Sequence, residues 1–169
     1  MTDVNEEIVA KYFELKGYMV YRNLPYSIET KHAPDSDIDL MIYNPKNPKD
    51  KAIVEVKGWY TEGFTLNYFK KVSELYNFVR SEALKKAEEF FGDKNFKRIL
   101  VIPKLPKDQN KKKEIFTYVK TKGVDEVIEL EPILKYIFEK IEENKNYRDS
   151  EFLQTIRLIK IYKINIPQK

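Results

Sequence analysis

The sequence predicts one α/β domain, a mixed sheet flanked by helices with extra helices at the C-terminal end. Three observations lead there. Residues 36–43 and 51–58 are rich in apolar and β-branched side chains and enclose a turn of two prolines, two asparagines and an aspartate, the pattern of a β-hairpin. Residues 97–103 form a short apolar run after a long segment of helical period, so a helical crossover leads into a strand parallel to a neighbour. Segments of helical period also precede the hairpin and follow the crossover strand. At 169 residues the chain is one ordinary domain, with a core over 1–103 and an extension over 104–169.

In chain order, the first element is a helix with Thr2 or Asp3 as N-cap. Val4, Ile8, Ala10, Tyr12, Phe13 and Leu15 supply its apolar faces, and Gly17 stops it. A strand over 18–26 follows, ended by Pro25, then a polar connection holding Lys31 and the single histidine, His32. The hairpin adds the second and third strands. Thr65 caps a helix in which Phe69, Val72, Tyr76 and Val79 recur at three- and four-residue spacing. Residues 81–91 repeat the pattern through Leu84, Ala87, Phe90 and Phe91 to Gly92; no proline or glycine separates the two stretches, which leaves one long helix open. After the strand at 97–103, a loop over 104–113 with five lysines among ten residues leads into a helix through Ile115, Phe116 and Val119 to Gly123. A short strand at 127–130 extends the sheet, and Pro132 opens a helix with Ile133, Leu134, Ile137, Phe138 and Ile141. The tail divides between a helix through Phe152, Leu153, Ile156 and Ile159 and a strand-like alternation over 161–166.

The hairpin carries the chemistry. If its loop is symmetric, Tyr43 faces Lys51, and counting back places Asp39 opposite Glu55, with Cβ atoms about 4.5–5.5 Å apart. Period two puts Asp37 on the face of Asp39 and Lys57 on the face of Glu55, whereas Ile38, Leu40 and Ile42 share the other face with Ala52, Val54 and Val56. Met41 and Ile53 continue the charged face as apolar residues, so both strands read as buried on both sides. Two carboxylates facing each other there repel unless something neutralises them. Mg²⁺ does so, with Mn²⁺ as a substitute, because a hard cation takes oxygen ligands and keeps several waters. Asp39 and Glu55 are then the metal ligands, the Val56 carbonyl an additional one, and Lys57 is placed to orient a water and offset charge on a phosphate. Asp37 remains an alternative to Asp39. The competing interpretation is a surface hairpin whose charges are solvated.

Asp37-Ile38-Asp39-Leu40, a turn, and Val54-Glu55-Val56-Lys57-Gly58 together resemble the active-site motif of the PD-(D/E)XK nuclease superfamily, which includes Holliday-junction resolvases and many restriction endonucleases. The residue before Asp39 is Ile38 and not the proline of the superfamily's name. The order helix, three strands, helix, strand agrees with that family, so the resemblance implies a restriction-endonuclease-like core over the first hundred residues or so. It further implies Mg²⁺-dependent hydrolysis of DNA by Asp39, Glu55 and Lys57. Resolvase-type members carry an acidic residue on the first helix; Glu6, eleven residues before Gly17, matches that offset, with Glu7 as the alternative. In such a protein Trp59 and Tyr60 stack on an opened strand or else wall the site, and Lys70 and Lys71 reach toward phosphates or else are solvated. Lys31 and His32 are further phosphate contacts or solvated loop residues. Because related nucleases that cut two strands are commonly dimers, a homodimer is expected.

Composition narrows the alternatives. Zero cysteines exclude disulfides and thiolate metal sites, and one histidine argues against a histidine-rich zinc site, so any metal rests on carboxylates. No apolar run approaches the roughly 20 residues of a membrane span, and residues 1–7 lack the features of a signal peptide, so a cytoplasmic protein is expected. A net charge of +4 permits a polyanionic partner without requiring one. A nucleic-acid-binding module that keeps the fold without activity is the alternative from another class.

Overall fold

The computed structural model describes residues 3–27, 36–58 and 64–164. Five strands form one mixed sheet in sequential order: β1 (Met19–Tyr26), β2 (Ser36–Tyr43), β3 (Lys51–Val56), β4 (Lys97–Ile102) and β5 (Glu126–Glu129). β1, β2 and β3 pair antiparallel; β3, β4 and β5 run parallel, the direction a helical crossover imposes. The C-terminal ends of β3, β4 and β5 therefore share one end of the sheet with the N-terminal end of β2. Tyr43 pairs with Lys51 and Leu40 with Val54, the register read from the symmetric loop.

Helices cover both faces. On one side α1 (Val4–Leu15), α5 (Leu130–Lys140) and α6 (Glu151–Ile161) bury Val9, Phe13, Ile133, Ile137 and Leu153 against Leu40, Ile42, Val54 and Val101. On the other side α2 (Leu66–Lys71), a 3-10 helix (Ser73–Val79), α3 (Ser81–Phe91) and α4 (Gln109–Thr121) pack Phe69, Leu75, Phe78, Ala87 and Ile115 against Met41, Ile53 and Leu100. All six residues of β3 are buried, as a central strand between two helical layers must be. Among the described residues no helix is long and apolar enough to cross a membrane.

Several expectations need correction. The stretch from 66 to 91 is not one helix: Val72 and Arg80 are extended, and the Tyr76 hydroxyl donates 2.9 Å to the Phe69 carbonyl, supplying that carbonyl with a side-chain partner where the helix stops. Asp108 accepts from the N–H groups of Asn110 and Lys111, so α4 starts at Gln109, and three of the five lysines assigned to a loop lie on its first turns. Helix α5 begins two residues before Pro132, β5 ends at Glu129, and Ile161 is helical and not part of a strand.

Ile38 also departs from its expected face, packing with Leu24, Tyr26 and Met41 while Leu40 and Ile42 pack into the opposite layer. The cause lies on the neighbouring strand. Asn23 adopts a left-handed backbone (φ 53°), which Asn tolerates better than most residues, and the ladder passes from Arg22–Leu40 to Leu24–Ile38 without pairing Asn23 to Asp39. The sheet turns over at Asp39.

Candidate functional site

Asp39 sits where the β2–β3 ladder has ended, and its Oδ2 accepts the backbone N–H of Val56 at 2.6 Å. A carboxylate thus takes the place of a strand carbonyl, which holds Asp39 over the C-terminal end of β3. Glu55 follows in the same strand, 4% exposed, and its Oε1 receives the Lys57 ammonium at 2.6 Å. The other oxygen, Oε2, is buried and finds no hydrogen-bond partner among the described residues. Lys57 is in turn anchored through its backbone, which donates to the Val101 carbonyl on β4 at 2.9 Å. Parallel pairing with β4 therefore aims the lysine.

The electrostatics follow from burial. Desolvation raises the carboxyl of Glu55 well above the ordinary range, and the Asp39 charge raises it further against the pull of Lys57. Asp39 is raised as well, first by burial, with the Val56 N–H and then Lys57 holding it back. For Lys57 burial works toward loss of the proton, but the Glu55 charge and hydrogen bond, with Asp39 and Glu74 behind them, outweigh it and raise its pKa. Two buried carboxyls thus share a single lysine as counter-charge.

Helix α1 brings in the fourth member. Its N-cap Asp3 accepts from the backbone and side chain of Asn5 at 2.7 and 2.9 Å, which fixes the first turn. Asn5 lies so close to Gly58 that a Cβ there would overlap its amide, so only glycine lets the helix seat against the end of β3. From that seat Glu6 feels Asp39, Asp3 and Asp37, and burial followed by these charges pushes its carboxyl up to about 7. Glu7, the alternative, accepts a 3.4 Å hydrogen bond from Ser150 at the start of α6. The two glutamates therefore differ: the Glu6 carboxyl feels the Asp39 charge, and Glu7 ties the C-terminal extension to α1.

Asp37 is exposed, yet its charge reaches Glu6, Asp39 and Glu55. The nucleic-acid candidates are divided. Lys70 and Lys71 lie exposed on α2, Lys70 beside Tyr118 of α4, while Trp59, Tyr60, Lys31 and His32 fall outside the described residues. Asn5, Ser150 and the buried Tyr26 also belong to this end of the sheet, and nothing local in the sequence singles them out except at Asn5. For Asn5 a signal existed: Gly58 follows the strand directly and ends no helix.

Among the described residues no three carboxylate or imidazole side chains converge to hold an ion. The pair that is present suits a hard divalent cation nevertheless, since Glu55 Oε2 is an acceptor without a donor and such a cation completes its shell with water. No protein-family model, no curated protein and no solved structure matches the chain.

Proposed function

We propose that the chain is a divalent-cation-dependent nuclease that hydrolyses DNA phosphodiester bonds on a restriction-endonuclease-like core. The observation that carries this reading is the buried Asp39–Glu55 pair with Lys57 on Glu55 Oε1 and Glu55 Oε2 left without a partner. Keeping two carboxylates out of water beside a single cationic side chain costs folding energy, and such sites are where function resides more often than elsewhere.

Asp39 and Glu55 would hold Mg²⁺ or Mn²⁺, with the Val56 carbonyl and Asp37 as supplementary ligands. Bound there, the cation supplies a water of lowered pKa and positive charge beside the scissile phosphate. Lys57, its proton retained by Glu55 and Asp39, orients the attacking water and offsets charge on the phosphoryl oxygens. Glu6, with a carboxyl pushed up to about 7, exchanges a proton near neutrality at the edge of the same cluster. Water oxygen would form the new bond to phosphorus and release a proton to solvent, the bridging P–O bond would break, and the leaving oxygen would take a proton from solvent, so one water is consumed for each bond cut.

A second reading, a nucleic-acid-binding module without activity, is favoured by the Lys57–Glu55 contact, which occupies one of the four carboxylate oxygens of the pair. A homodimer belongs to the first reading, supported by exposed Leu134 and Phe138 on α5 and Leu158, Ile161 and Tyr162 at α6.

The test is cleavage of labelled duplex, single-stranded, flap and four-way-junction DNA with Mg²⁺ or Mn²⁺, comparing the parent chain with Glu55→Ala and Lys57→Ala. Metal-dependent cutting that falls at least about 10²-fold in both variants is the expected result. Binding without cutting selects the second reading, and neither binding nor cutting overturns both.

A further inference from the structure

The chain's positive charge is concentrated in one segment. Residues 104–122 hold seven lysines against Asp108 and Glu114, a net of +5, whereas the remainder has 24 basic and 25 acidic residues and is net −1. The fold lays this segment beside the site. β4 runs parallel to β3, so the chain leaving β4 emerges at the end of the sheet where Lys57 donates to Val101. Glu129 on β5 then fastens the connection, accepting the Leu105 N–H at 2.9 Å and the Lys112 ammonium at 2.6 Å. With Lys112 so engaged, Lys111 and Lys113 stay exposed and make no ion pair among the described residues.

From there α4 runs away from the site against α2, and the two enclose a groove of about 750 Å³. Asn110, Lys113, Glu114, Thr117, Tyr118 and Thr121 line it from α4, at the three- and four-residue spacing of one helical face. Lys70 faces them from α2, its ammonium 6.0 Å from the Tyr118 ring, with Lys122 at 5.5 Å from the same ring. Leu66 on α2 completes the lining, and none of the large exposed apolar side chains among the described residues lies on α2 or α4.

We propose that the α2–α4 groove is a phosphate track that holds one strand of duplex DNA next to the cleavage site. The inference rests on the nuclease reading for its partner and adds the surface that partner occupies. Residues 110–121 extend about 16 Å along the helix, the axial rise of about five base pairs of duplex at about 3.4 Å each. Ammonium groups that bind phosphate carry no sequence information, so this grip is indifferent to sequence.

Anisotropy of a labelled duplex in EDTA, titrated with salt, tests this without any cutting. The double variant Lys70→Glu/Lys113→Glu is compared with Lys46→Glu/Lys94→Glu, which makes the same charge change at the opposite end of the sheet. The track requires the first variant to bind at least about tenfold more weakly at low salt, with a salt slope reduced by about two, and the second to stay close to the parent chain. Equal weakening in both variants, or none in either, overturns the track and leaves the nuclease reading standing. Weakening confined to Lys70→Glu/Lys113→Glu in a parent chain that cuts nothing supports the track and removes the nuclease reading. Loss of binding to anionic vesicles with DNA binding unchanged overturns the track in favour of a membrane surface.

Discussion

Asp39 Oδ2 accepts the Val56 backbone N–H at 2.6 Å, so one carboxylate both ends the β2–β3 ladder and stands in the candidate site. Its two roles separate by substitution. Asp39→Asn keeps an oxygen acceptor for the buried N–H, whereas Asp39→Ala strands it at a cost of about 1–3 kcal/mol. Both variants are expected to lose DNA cleavage, and only Asp39→Ala to lose that much stability in urea unfolding. An equal and large destabilisation in both would show that the negative charge, and not the acceptor, holds the strands.

The raised carboxyls fix the direction of a pH dependence. Glu6, Asp39 and Glu55 all bind their protons more tightly in the folded chain than at their ordinary values of 4.5, 3.8 and 4.5. Their contribution is therefore most favourable below those values and is lost as pH rises through the folded ones, about 7 for Glu6. Urea unfolding without metal is expected to show stability falling between pH 5 and pH 8, with Glu55→Gln flattening the fall. Mg²⁺ at about a hundredfold excess over its Kd should return about 2.7 kcal/mol at pH 8, and nothing in Glu55→Gln. Stability that rises with pH in the metal-free protein would contradict the buried acidic pair.

Gly58 and Asn5 form a steric lock between the end of β3 and the first turn of α1. Gly58→Ala forces that turn outward, carrying Glu6 with it, at a cost of about 1–3 kcal/mol. Asn5→Gly removes the colliding atoms, so the double variant Asn5→Gly/Gly58→Ala should recover part of the activity lost by Gly58→Ala alone. Purely additive losses would dispose of the lock.

Much of the site was legible because it rests on local rules. The turn at 44–50 sets the pairing of Tyr43 with Lys51, and a period of two carries that register as far as Leu40 and Val54; beyond them the ladder ends, and Asp39 meets the Val56 N–H through its side chain where direct pairing with Glu55 was expected. Asp3, Thr65 and Gly17 announced helix boundaries by the same kind of local chemistry. Counting failed where a non-local partner intervened. The kink at Asn23 moved Ile38 to the other face, and the Tyr76 hydroxyl found the Phe69 carbonyl where the helical pattern ran on unbroken.

The sequence alone determined the alternation of elements, the register of the hairpin and the residue types at its charged end, because these depend on neighbours a few positions apart. Only the tertiary structure decided that Glu6 feels the Asp39 charge while Glu7 meets Ser150, that parallel pairing with β4 anchors Lys57, and that the lysine-rich segment leaves β4 at the same end of the sheet. Those relations join residues up to 143 positions apart in the chain, and they arise from packing two helical layers onto one sheet, which no local pattern encodes.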